Sequence, residues 1–246
     1  PQILQWREEY DIAQLHTYMD RYIRHEIDRK GLPVDGTDRE KQAYQAALAE
    51  YNGDRRTAET IWNELASGAL TRPGTVGHDN VATVARHHLR LLAALDREEE
   101  RMTGLRQQTR ERRSEIDLEP LTREAFTAWR QEQLGDRLGA LRLYERLRDE
   151  ARKDDDGRYW ALFAAMKVKT VSDGLKAKPQ DEEGRVRAIS DTARTATAGL
   201  TASNTSMLTL RVILHEIALL YDRDPALAEA VNQAKEGMKY VDERVK

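Results

Sequence analysis

One stretch of this chain occurs twice. Gly53-Asp54-Arg55-Arg56-Thr57-Ala58-Glu59-Thr60-Ile61-Trp62-Asn63-Glu64-Leu65 is followed 82 positions on by Gly135-Asp136-Arg137-Leu138-Gly139-Ala140-Leu141-Arg142-Leu143-Tyr144-Glu145-Arg146-Leu147. The two share Gly-Asp-Arg and then match Ala58 with Ala140, Ile61 with Leu143, Trp62 with Tyr144 and Leu65 with Leu147. Upstream, Ala43 matches Ala125, Tyr44 matches Phe126, Ala46 matches Ala128 and Glu50 matches Glu132. Each copy reads as helix, tight turn, helix. A glycine suits a helix end that needs positive φ, and an aspartate suits the next N-cap. Ala58 and Ala140 fall where two helix backbones should approach, and Ala47, opposite Trp129 of the other copy, is expected to tolerate a larger side chain.

Composition agrees with an all-α chain. Charged residues make up 34% of the 246 positions, with Ala and Leu at helical spacing between them. There is no cysteine, which excludes disulfides, thiolate chemistry and Cys-type zinc sites. The formal charge of -3 provides no net attraction to a polyphosphate. No apolar run has the length of a membrane span. The first residues are Pro1-Gln2-Ile3, and the chain is expected to be a piece of a longer protein.

The periodicity divides the chain into four parts: residues 1–36, an N-terminal helix (3–29) and loop; 37–173, the region of the two hairpins; 174–186, a linker around Gly174, Pro179 and Gly184; and 187–246, a C-terminal helical segment packed on the repeats. The seam Ile12, Leu15, Met19, Ile23 and Ile27 favours a first helix that packs on the hairpins over a juxtamembrane or dimerising coiled helix. Val81 to Arg113 reads as one long helix, interrupted in its apolar pattern near Glu98 and Glu99, with a basic end projecting into solvent. Thr122 is the expected N-cap of the second hairpin. A helix break is expected near Gly199, and Asp224-Pro225 should open the last helix.

The two hairpins resemble tetratricopeptide repeats. Gly53 with Asp54, Ala58 and Trp62 carry the resemblance, as do Gly135 with Asp136, Ala140 and Tyr144. Such repeats recur about every 34 residues, whereas these copies lie 82 apart and no third follows. The fold implied is all-α: antiparallel helical hairpins stacked as a tetratricopeptide-like or irregular α-solenoid. Asn52 to Leu65, with the aromatic N-terminal helix, is similar to the C-terminal regions of some bacterial membrane-anchored serine/threonine kinases. No kinase motif occurs, so that resemblance implies the accessory part of such a protein, in signal transduction, and not its catalyst.

No catalytic, cofactor or metal residue can be assigned. His25-Glu26 and His215-Glu216 lack the second histidine of a zinc helix, and the adjacent His87 and His88 point to different faces. His88, on the apolar seam, is expected to be partly buried. Asp154-Asp155-Asp156 lacks the later ligands of a calcium loop and reads as a solvated helix start. The basic run Arg106 to Arg113 has no interleaved aromatics and is flanked by glutamates, so no nucleic-acid partner is expected. A protein or peptide partner is expected instead, with no cofactor and no identifiable binding residues. The rival is a small-ligand receptor or enzyme whose site lies between helices near Tyr159, Trp160 and Phe163.

Overall fold

The computed structural model describes residues 37–67, 80–112, 115–153, 157–201 and 206–244. The expected helix over 3–29 and the Asp154–Asp156 run lie outside the described residues. Of those described, 84% are helical and none is in a strand. The helices are α1 (Asp38–Tyr51), α2 (Arg55–Ala66), α3 (Asn80–Leu95), α4 (Glu98–Arg112), α5 (Pro120–Gln133), α6 (Arg137–Ala151), α7 (Arg158–Ala177), α8 (Glu182–Gly199), α9 (Met207–Leu220) and α10 (Ala228–Arg244). A single 3₁₀ turn at Pro225–Leu227, capped by Asp224, opens the last of them.

Consecutive helices pack in three sets, α1–α2–α3, α5–α6–α7 and α8–α9–α10. The first two sets share one apolar core, to which α4 adds Met102. The third has its own core, closed by Leu134 from the α5–α6 turn. Helix α7 lies on α1, α6 on α8, and α4 crosses to α9.

The duplication holds at atomic detail. In the first turn the amides of Asn52, Gly53 and Asp54 donate to the carbonyls of Leu48, Glu50 and Ala49. In the second, Leu134, Gly135 and Asp136 donate to Arg130, Glu132 and Gln131, the same pattern 82 positions on. Gly53 and Gly135 have φ of 72° and 86°. Asp54 and Asp136 cap the next helix by accepting from Thr57 and Gly139. Ala58, Ala140, Trp62 and Tyr144 are fully buried, as the repeat demands. The repeat also extends further than the sequence match. With a shift of 79, α3 and α7 correspond: Val84 with Phe163, Ala85 with Ala164 and Leu92 with Val171, all buried.

Although the two turn glycines have the same conformation, their surroundings differ. A Cβ on Gly53 would sit 2.5 Å from the Ala165 carbonyl oxygen and 2.6 Å from the Lys169 Cβ, so this turn is pressed against the α7 backbone. A Cβ on Gly135 would meet only the Ala188 Cβ, at 3.7 Å. Gly53→Ala is therefore expected to cost about 2–3 kcal/mol and Gly135→Ala about 1 kcal/mol, both from positive φ and only the first from a backbone collision as well. Urea unfolding of the two variants checks this, and equal losses would show that α7 does not seat on the first turn.

Several expectations need correction. Thr122 is not the cap: α5 starts at Pro120 behind Glu119, because proline's missing N–H and fixed φ suit the first helical position. The long helix over 81–113 is two helices, broken at Asp96–Arg97, where the Arg97 amide turns back to the Ala94 carbonyl and Asp96 accepts from Arg55. The stretch 174–186 is mostly helical: α7 continues through Gly174 and α8 begins at Glu182, leaving only residues 178–181 between them. Those residues are fastened down, since the Gln180 amide bonds the Gly135 carbonyl and the Leu138 N–H. Ala47 is buried, so a larger side chain there should overpack the core much as at Ala58.

Candidate functional site

Each three-helix repeat sets one carboxylate between its helices, buried at Glu50 and half-buried at Glu132. In the first, Glu50 on α1 accepts from Trp62 Nε1 on α2 at 2.7 Å, and His88 Nδ1 on α3 lies 2.8 Å from its other oxygen. The His88 ring stacks on Trp62 at 4.5 Å. In the second, Glu132 accepts from the Tyr144 hydroxyl at 2.9 Å and pairs with Lys167 on α7 at 3.2 Å. Lys167 also pairs with Glu99, which accepts from Trp129 Nε1 at 2.7 Å. Burial, and then the Glu132 charge, push the Tyr144 phenol well above its usual range. The same constellation of acid, aromatic donor and basic side chain thus recurs at Glu50–Trp62–His88 and Glu132–Tyr144–Lys167. Its groups satisfy one another, which suits a fixed structural joint. His87 lies beside this joint, edge-on to His88, and burial, followed by His88, Arg90 and Arg158, depresses its pKa to about 4.

A second ionic cluster joins α4, α5 and α9. Arg106 donates both Nε and Nη2 to Glu216, at 3.0 and 2.6 Å, and its guanidinium lies over the Trp129 ring. Glu216 is only 1% exposed, and burial outweighs Arg106 in raising its pKa. Glu115 accepts from Arg130 and lies 3.2 Å from His215 Nε2. Burial pushes the Glu115 carboxyl up, but His215 and Arg130 outweigh it and hold it below its usual value. The basic run beginning at Arg106 therefore does not simply project into solvent: Arg106 turns inward and Thr109 is buried.

Surface clefts follow the seams between helices. One of 190 Å³ lies between α4 and α9, with Arg106 and Arg110 on one side and Val212 and Ile213 on the other. A wider groove of 780 Å³ runs between α8 and α10 and is polar, lined by Ser190, Asp191, Arg194, Glu229, Asn232 and Glu236 among others. A third lies between α9 and α10 beside His215. None of the three is lined by Tyr159, Trp160 or Phe163. Phe163 is core, the Tyr159 hydroxyl donates to Glu98 at 2.5 Å, and Arg101 covers the Trp160 ring at 5.1 Å.

Among the described residues no group of three or more histidines and carboxylates could hold a metal, and no described helix is long and apolar enough to cross a membrane. His16, His25 and His78 lie outside the described residues. The sequence match pairs Glu50 with Glu132 without giving either a role, and of the two basic partners only His88 stands out along the chain. Lys167 was missed because α3 and α7 correspond under a different shift from the hairpins, and few of their residues are identical.

No family model matches the chain, and neither the curated proteins nor the solved structures provide a match. The structure is one of helices packed in neighbouring pairs, ten among the described residues, compatible with helical repeats.

Proposed function

We propose that this chain is a protein-interaction or sensor module, non-catalytic in itself, whose tetratricopeptide-like hairpins form a rigid frame for a peptide or partner domain. The observation that carries the reading is where three openings among the described residues fall: they are surface clefts along helix seams, while Glu50 and Glu132 are engaged by aromatic donors and basic side chains of the frame. The most apolar of these three clefts, at 190 Å³, is smaller than the roughly 300–1,000 Å³ usual for small-molecule sites. Following the resemblance to the C-terminal regions of bacterial membrane-anchored serine/threonine kinases, the module would serve as the accessory part of a larger signalling protein.

The test sets two screens side by side: panning of a displayed peptide library on the 246-residue chain, and a thermal-shift survey with small metabolites. Peptides that bind with saturable, competable affinity are expected from the first. A single metabolite that raises Tm by several degrees, with no surviving peptide, would replace this reading with the small-ligand receptor.

A further inference from the structure

We infer that the cleft between α4 and α9 seats one aliphatic or aromatic side chain of a partner peptide that carries a carboxylate next to it. This rests on the interaction-module reading and gives it a location and a ligand chemistry.

The cleft is made by one stripe of each helix. Helix α4 contributes Thr103, Arg106 and Arg110 at spacings of three and four, and α9 contributes Thr209, Val212 and Ile213 in the same way. Val212 and Ile213 offer apolar contact, and no acidic residue lines the opening. The two arginines differ. Arg106 is spent: both its Nε and Nη2 are bound to Glu216, and Trp129 backs the guanidinium. Its pairing makes the wall rigid and leaves it without net charge. One helical turn on, Arg110 reaches only the Thr209 hydroxyl, at 3.5 Å, the outer limit of a hydrogen bond. Its charge stands at the rim of an apolar slot with no carboxylate of the described chain paired to it.

A slot of 190 Å³ suits one large side chain, and a lone guanidinium suits one carboxylate, which it can bind through two parallel N–H donors. A nucleic acid would ask for several cations in a row, whereas Glu98, Glu99, Glu100 and Glu111 stand on the same helix as Arg110. The surface therefore fits an acidic peptide with an apolar anchor.

The test uses the full chain and short dye-labelled peptides with one leucine flanked by Glu, by Gln or by Lys, read by fluorescence anisotropy. The Glu-flanked peptide is expected to bind about fivefold tighter than the Gln-flanked one, with the Lys-flanked one weakest. Arg110→Glu should reverse that order. Thr209→Phe, which fills the slot from an exposed position, should weaken all three without lowering the melting temperature. Equal binding of the three peptides, an order unmoved by Arg110→Glu, or preference for a single-stranded oligonucleotide would overturn the inference. Should peptides bind but respond to Asn232→Arg in the α8–α10 groove and not to Arg110→Glu, the cleft assignment falls while the interaction module stands. If neither these nor panned peptides bind, the module reading falls with it.

Discussion

Asp136→Ala is expected to cost about 3–5 kcal/mol, whereas Asp54→Ala, the same change in the other copy, should cost about 1 kcal/mol. Both aspartates cap a helix after the same glycine turn. Asp54 does only that, and its side chain faces water, with Thr57 as the main cause of its lowered pKa. Asp136 is 0% exposed. One of its oxygens accepts from the Gly139 amide at 2.7 Å, and the other accepts from Arg185 Nε at 3.1 Å and from the Tyr221 hydroxyl at 3.0 Å. Arg185 continues to Asp224 at 2.7 Å, so one carboxylate ties the second hairpin to the start of α8 and to the end of α9.

Truncation would leave the buried Tyr221 hydroxyl and the half-buried Gly139 amide without their acceptor, and it would strip Arg185 of one of its anions. The phenol already shows the coupling: burial, and then the Asp136 charge, push its pKa well above the ordinary range. Urea unfolding of both variants, with Tyr221→Phe as a milder cut of the same node, checks the contrast. Losses of similar size at Asp54 and Asp136 would mean that the second turn is only a turn and that α8–α10 is held to the hairpin by other contacts.

That contrast marks what could be read along the chain and what could not. The helices, the two turns and their caps depend on residues three or four apart, and the repeated Gly-Asp pair announces them. What distinguishes Asp136 from Asp54 is an arginine 49 positions later and a tyrosine 85 positions later, separations that no local period records. The α4 stripe is hidden from the local sequence for the same reason. Arg106 to Arg113 looks solvated because its neighbours in sequence are polar, yet Glu216, which draws Arg106 inward, lies 110 positions away. Gly174 and Gly184 suggest a loop, but glycine only lowers helix propensity by about 1 kcal/mol, and packing of α7 and Asp181's cap on Gly184 override it. The candidate cleft had no signal of its own, since its two walls belong to different parts of the chain.

Trp62→Ala is expected to cost about 3–5 kcal/mol, the usual loss for a large aromatic removed from a closed core. Trp62 is 0% exposed, and its removal takes away the stacking surface of His88 as well as the donor to Glu50. The more telling comparison lies between Trp62→Phe and Trp62→Tyr. Both shrink the ring by a similar amount, so both lose packing. In the second repeat, however, a tyrosine already performs the tryptophan's task, its hydroxyl donating to Glu132 as the indole N–H donates to Glu50. If the two repeats are one design, tyrosine at position 62 should reach the Glu50 carboxylate and keep it satisfied, whereas phenylalanine leaves it with His88 alone among the groups just described. Trp62→Tyr should then be more stable than Trp62→Phe by about 1–2 kcal/mol, the value of a hydrogen bond to a charged acceptor. The reciprocal change, Tyr144→Phe, should cost a similar amount, moderated by Lys167, which still reaches Glu132. Denaturant midpoints of the four variants decide the matter. An order in which tyrosine and phenylalanine at 62 are equal would show that the buried acid depends on its histidine and not on the aromatic donor, and the likeness of the two joints would then lie in shape alone.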